Sequence, residues 1–250
     1  MLELGLDPVL LKIGIFEIRY YGLVFVFGFI ATLFVLLRAV KKNKLPLNKE
    51  GAYDLVFYLL LGILIGARIF HVLFWGFSYY IENPLKILYL WEGGLSFHGG
   101  LIGGTLAVYL FSRKKNINFW KIADIIVLPG ILFLALGRFA NFINQEILGI
   151  VTELPWCVKF LLADPYYCRH PVQLYAAFGR FATFFILLQF KKEHKDGFLF
   201  WNFVFLLGLG RLLLDFLRED IKYIGLSAGQ WFSILMIAVG GYVLFRYYRE

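Results

Sequence analysis

Seven apolar runs, separated by short polar connections, set the pattern of this chain; they lie at about 20–37, 53–74, 95–111, 122–136, 171–190, 198–214 and 230–245. As a helix, a run of about 20 such residues crosses a hydrocarbon core of roughly 30 Å. The first, YYGLVFVFGFIATLFVLL, carries no charge and is followed by a basic cluster from Arg38 to Lys44. The longest polar connection, about 145–170, holds Pro155, Pro165 and both cysteines. The pattern predicts an all-α fold: a polytopic membrane bundle of seven transmembrane helices, one integral membrane domain over 1–250, with a small loop region at 145–170. No internal repeat is visible, which weighs against transporters built from duplicated halves. Gly99, Gly100, Gly103 and Gly104 punctuate the third run, and small residues at this spacing let transmembrane helices approach closely.

Composition agrees with that class: 60% of residues are hydrophobic and 20% aromatic, with a mean hydropathy of +0.73. The net charge of +8 does not point to nucleic acid, because the basic residues are scattered over the connections, where they report topology. Taking connections alternately, one side carries fourteen Lys and Arg and the other seven, with Arg68, Arg138, Arg180 and Arg211 within or at the ends of runs. The positive-inside rule then puts the amino terminus outside and the carboxy terminus in the cytoplasm. Glu3 and Asp7 precede the first lysine, so the basic start of a cleavable signal peptide is missing. Cys157 and Cys168 fall in the outer connection, where they either pair or stay as two thiols. No metal-ligand spacing of Cys and His occurs, and nothing calls for a cofactor.

Polar residues then gather at the outer ends of the runs. In LGRFANFINQEILG (136–149), Arg138, Asn141 and Asn144 repeat at i, i+3 and i+6, near one helical face, with Glu146 beyond. Polar groups at membrane depth face a protein interior or a watery cavity. A guanidinium among amides can cradle an anionic head group, while a capped helix end with a snorkelling arginine fits the same residues. LSFHGGLIGG (95–104) presents His98, a candidate general base or a structural hydrogen-bonding group. Tyr21 opens the first run at that face, where tyrosines are also ordinary belt residues. RHPVQLY (169–175) brings Arg169, His170, Gln173 and Tyr175 to the start of the fifth run, with Pro171 suited to a first helical turn. Arg211, Asp215 and Arg218 recur at i, i+4 and i+7, so Asp215 can pair with Arg211 as a ligand-site partner or as a structural ion pair. Arg68 and Arg180 receive no role. A base and two cations facing lipid point to chemistry on a phospholipid. An anion-binding transporter or channel and a structural assembly protein are the competing classes.

YYGL, SFHGGLIGG, GRFANFINQE, RHPVQLY and GRLLLDFLR, in this order, resemble the bacterial prolipoprotein diacylglyceryl transferase family over nearly the whole chain. The resemblance implies a seven-span enzyme of the bacterial cytoplasmic (inner) membrane with its active site toward the outer leaflet. It implies transfer of the diacylglyceryl group of phosphatidylglycerol to the lipobox cysteine in a prolipoprotein signal peptide, forming a thioether and releasing glycerol phosphate. The expected catalytic residues are His98, Arg138, Arg211 and Tyr21. Asn141, Asn144, Glu146, Arg169, His170, Gln173 and Asp215 are expected to bind substrate. The chain departs from the family pattern at Ala176 and Asp215, where glutamate is common, and at Leu207, where tyrosine is usual.

Overall fold

The computed structural model describes residues 2–14, 16–90, 93–190 and 194–249, without the side chains of Ile13, Phe16, Phe97 and His98. Among the described residues the chain is mostly helical and divides into two compact units, Thr32–Ile125 and the combination of Met1–Ala31 with Ile126–Glu250. Among the described residues six helices are long and apolar enough to cross a membrane: α1 (Tyr20–Lys41), α2 (Lys49–Phe74), α5 (Phe119–Ile143), α6 (Val172–Gln189), α7 (Phe198–Leu214, its span continuing to Leu217) and α8 (Ala228–Tyr247). The third predicted span is α4 (Phe97–Lys115) and is not among the six. Its four glycines add little hydropathy, and Arg113, Lys114 and Lys115 close it.

In the unit Thr32–Ile125, Asn48 caps α2 by accepting from the Gly51 amide at 2.8 Å, and Ser96 caps α4 by accepting from Gly99. The two helices meet through facing glycines. A methyl group at Gly66 would strike the Gly99 carbonyl oxygen and lie 2.8 Å from Gly103 Cα, which is the close approach that the spacing predicts. A short helix α3 (Phe77–Glu82) and a 3-10 turn at Pro84–Leu88 lie between them in sequence. Arg68 of α2 fastens this connecting segment. Its guanidinium donates to the carbonyl oxygens of Lys86, Ile87, Tyr89, Gly93 and Gly94 at 2.5–3.3 Å, and it sits 5.0 Å from the centre of the Tyr80 ring.

In the other unit, short strands gather where the all-α expectation placed only loops. β1 (Leu2–Leu4) pairs in parallel with β4 (Val158–Phe160), which pairs antiparallel with β5 (Asp164–Arg169). β2 (Val9–Ile13) and β3 (Phe16–Arg19) form a hairpin ahead of α1, and β6 (Lys222–Tyr223) with β7 (Leu226–Ser227) forms another ahead of α8. Leu4, Val158 and Phe160 are buried together, with Phe142 and Leu148 packed on them. The two cysteines do pair: a Cys157–Cys168 disulfide closes the β4–β5 hairpin beside the Val158–Arg169 register. Gln145, absent from the predicted site, is buried and ties the sheet to the end of α5. Its amide donates to Leu4 O at 3.1 Å while its carbonyl accepts from Leu162 N at 2.8 Å.

α5 begins and ends beyond the apolar run that predicts it, so Arg138 and Asn141 are helical, and Pro129 is carried inside it. α7 stops at Leu214, and Asp215–Leu217 forms a 3-10 turn. Arg211, Asp215 and Arg218 are therefore not three positions of one continuous helix. Ser227 and Gln230 form a reciprocal capping box that starts α8.

Candidate active site

Glu146 organises the end of α5. Gln145 adopts a left-handed conformation at φ 56°, which turns the chain so that the Glu146 amide donates back to Asn141 O at 2.9 Å. The Glu146 carboxylate then accepts from Asn141 Nδ2 at 2.8 Å and from Asn144 Nδ2 at 3.1 Å. With its amide nitrogen committed there, Asn141 offers its carbonyl oxygen to Arg138 Nη1 at 3.3 Å. Gln173 of α6 donates to the Glu146 carbonyl oxygen at 2.6 Å, linking α6 to the same turn. The Tyr21 hydroxyl interacts with the Asn141 side chain and lies in the field of Glu146 and Arg138. Arg138 is thus oriented through an amide and has no ion-paired carboxylate among the described residues.

A second cluster stands at the end of α7. The Asp215 carboxylate, 2% exposed, sits 3.5 Å from Arg211 Nε and 3.2 Å from Arg218 Nη1, and Ser227 Oγ donates to it at 3.3 Å. Arg218 also pairs with Asp220 at 3.0 Å. Gly229 makes room for this pair: a methyl group there would overlap Asp215 Oδ2 and come within 2.6 Å of Arg211 Nη2.

Arg138 and Arg211 line one narrow cleft together with Arg180, Arg218, Asp215, Gln173 and apolar residues of α6 and α7. Its volume is about 50 Å³, room for about three to five waters at ~10–15 Å³ each. Nε of Arg180 and Oε1 of Gln173 have no hydrogen-bond partner, which leaves a donor and an acceptor for a ligand.

Of the residues predicted from sequence, Arg138, Arg211, Gln173 and Asp215 meet at the cleft, and Asn141, Asn144, Glu146 and Tyr21 stand behind Arg138. Two lie elsewhere. Arg169 is pinned between Asp164 Oδ2 and Glu219 Oε2, each at 2.6 Å, and Gly149 O at 2.9 Å. The Arg169 guanidinium holds the Asp164 carboxyl below its ordinary value of 3.8. His170 faces the Tyr175 hydroxyl at 3.3 Å, which in turn accepts from Trp156. His98 opens α4 in the other unit, and its side chain lies outside the described residues. Arg180 and Arg218 line the cleft but were not among the predicted site residues. A charge within an apolar run was the available signal for Arg180.

Apolar helices ending in a cationic cleft define a multi-pass membrane protein equipped to hold an anion. The family described as prolipoprotein diacylglyceryl transferase matches residues 8–246. The chain is 41% identical over 226 residues to a phosphatidylglycerol–prolipoprotein diacylglyceryl transferase of Geobacter sulfurreducens, covering 90% of this chain and 86% of the relative. It is 37% identical to the protein of that name from Bartonella bacilliformis, covering 98% and 93%, and 38% identical to that from Brucella anthropi, covering 97% and 92%. The chain belongs to the prolipoprotein diacylglyceryl transferase family.

Proposed function

We propose that this chain transfers the diacylglyceryl group of phosphatidylglycerol to the lipobox cysteine of a prolipoprotein. It acts as one enzyme domain of the bacterial cytoplasmic membrane, with seven spans counting α4, its amino terminus outside and its active site toward the outer leaflet. The names of its relatives support the reaction, and the distribution of basic residues supports the orientation. The single observation that carries the site is that Arg138 and Arg211 line one cleft.

The thiolate sulfur attacks the glyceryl carbon that bears the phosphate. The carbon–sulfur bond forms as the carbon–oxygen bond breaks, and the electron pair leaves on the phosphate oxygen of glycerol phosphate. The thiol proton passes to a general base, the role that the sequence reading gives His98, and then to solvent. The reference thiol pKa of about 8.5 leaves little thiolate at neutral pH, so a base and a positive field both help. Arg138 and Arg211 stabilise the charge that grows on the leaving phosphate. Asn141, Asn144 and Glu146 keep Arg138 aimed, and Asp215 does the same for Arg211. The Gln173 oxygen without a partner receives a head-group hydroxyl.

Mass spectrometry of a lipobox peptide incubated with purified protein and phosphatidylglycerol tests the reading. The expected product carries one diacylglyceryl group on the cysteine, with glycerol phosphate released in equal amount. An unmodified peptide in the presence of intact, folded protein refutes it.

A further inference from the structure

The charge of the cleft exceeds what a phosphodiester needs. Four guanidinium groups, from Arg138, Arg180, Arg211 and Arg218, line it with one carboxylate, Asp215. Asp220 adds a second carboxylate by pairing with Arg218, which leaves an excess of two positive charges. Glu146 is not part of this count because it does not line the cleft: Asn141 stands between it and Arg138. Among the described contacts, Arg180 is the one of the four without a polar side-chain partner, since Arg138 meets Asn141 and Arg211 and Arg218 meet Asp215. One Nη1 donates to the Ala176 carbonyl one turn earlier, Nε has no partner, and no described carboxylate pairs with it. Arg138, Arg211 and Arg218 are all its electrostatic neighbours. Like charges held this close disfavour one another unless an anion joins them.

We propose that Arg180 is a third phosphate-binding cation, and that the cleft is matched to a phosphate monoester dianion, the form of the released glycerol phosphate, over the monoanionic diester of the lipid. The inference rests on the transferase reading above. A diester carries one negative charge, whereas a monoester, with a second pKa near 6, carries about −1.5 to −2 at pH 7. An excess of two positive charges is therefore better neutralised after the carbon–oxygen bond has broken than before. Interactions stronger in the transition state than in the ground state are those that accelerate a reaction. The same match makes glycerol phosphate an inhibitor of its own formation.

The test compares glycerol phosphate with glycerol methyl phosphate, its monoanionic diester, as inhibitors of phosphatidylglycerol turnover and as ligands in calorimetry of the detergent-purified full chain. The wild type is expected to prefer the monoester at least tenfold at pH 7.5 by both measures. Arg180→Gln is expected to bring that ratio below threefold, and Arg180→Lys to keep part of it. A wild-type ratio near one overturns the proposal. So does an Arg180→Gln variant that loses stability but keeps the ratio, since the arginine would then serve packing alone. Monoester preference in calorimetry without any lipid turnover supports the dianion site and counts against the transferase reading. Normal turnover with no preference does the reverse.

Discussion

Replacing Arg68 tests the buried charge that organises the segment between α2 and α4. The guanidinium has five N–H donors and meets five backbone carbonyls, so its capacity is saturated. Lysine brings three donors and leaves at least two carbonyls unserved. An acceptor stripped of its partner costs about 1–3 kcal/mol when buried. The segment lies outside the helices long and apolar enough to span a membrane, so the lower end of that range applies to each of the two carbonyls. Arg68→Lys should therefore destabilise the segment locally by about 2 kcal/mol, roughly thirtyfold in its opening equilibrium. Hydrogen exchange reads this directly at the amides of Tyr89, bonded to Lys86 O, and Ser96, bonded to Ala67 O. Both should exchange about thirtyfold faster while amides in the middle of α5 stay at wild-type rates. Exchange within twofold of wild type at 84–96 would show that the five carbonyls do not depend on this side chain.

Arg138→Ala and Arg211→Ala should each lower turnover of phosphatidylglycerol with a lipobox peptide at least a hundredfold, since removing one such donor costs about 2.7–4 kcal/mol of barrier; near-normal rates in both would remove phosphate stabilisation from the mechanism. Gly229→Ala should disturb the Arg211–Asp215 pair, whose space it takes, so kcat is expected to fall at least tenfold with far-UV circular dichroism unchanged. Gly66→Leu should overpack the α2–α4 contact at a cost of at least about 1–3 kcal/mol, measured as a lower melting temperature in detergent. The Asp164–Arg169 pair contributes stability above the unfolded carboxyl value. Because the folded value lies below 3.8, that contribution is lost only as pH falls through it. Limited proteolysis of the β4–β5 hairpin should therefore be constant from pH 7 to 5 and rise below about pH 4; a rise already at pH 6 would contradict the assignment.

The helices were legible because an apolar run of sufficient length is nearly diagnostic, and the Arg211–Asp215 contact followed from i, i+4 spacing. The break after Leu214 was not legible, since nothing in LLLDFLRED forbids another turn of helix. The strands were hidden for a different reason. Segments such as DPYYCR owe their pairing to partners far away in the chain and to the Cys157–Cys168 bond, and two cysteines alone do not reveal whether they join. Glu146 and Gln173 were picked out as binding residues. Their mutual contact depends on the left-handed turn at Gln145, a conformation no residue pattern announced. Arg180 stood out as a charge in lipid-like sequence, yet its role rests on which groups surround it, and only three-dimensional neighbours supply that.

The parallel pairing of β1 with β4 sets an order of assembly. Leu2–Leu4 cannot meet Val158–Phe160 until all of α1 to α5 has left the ribosome, which at ~5–20 residues per second takes about 8–30 s. Through that interval the first strand waits with an open edge, and the small three-stranded sheet is completed only after the helices that precede its second strand have been made.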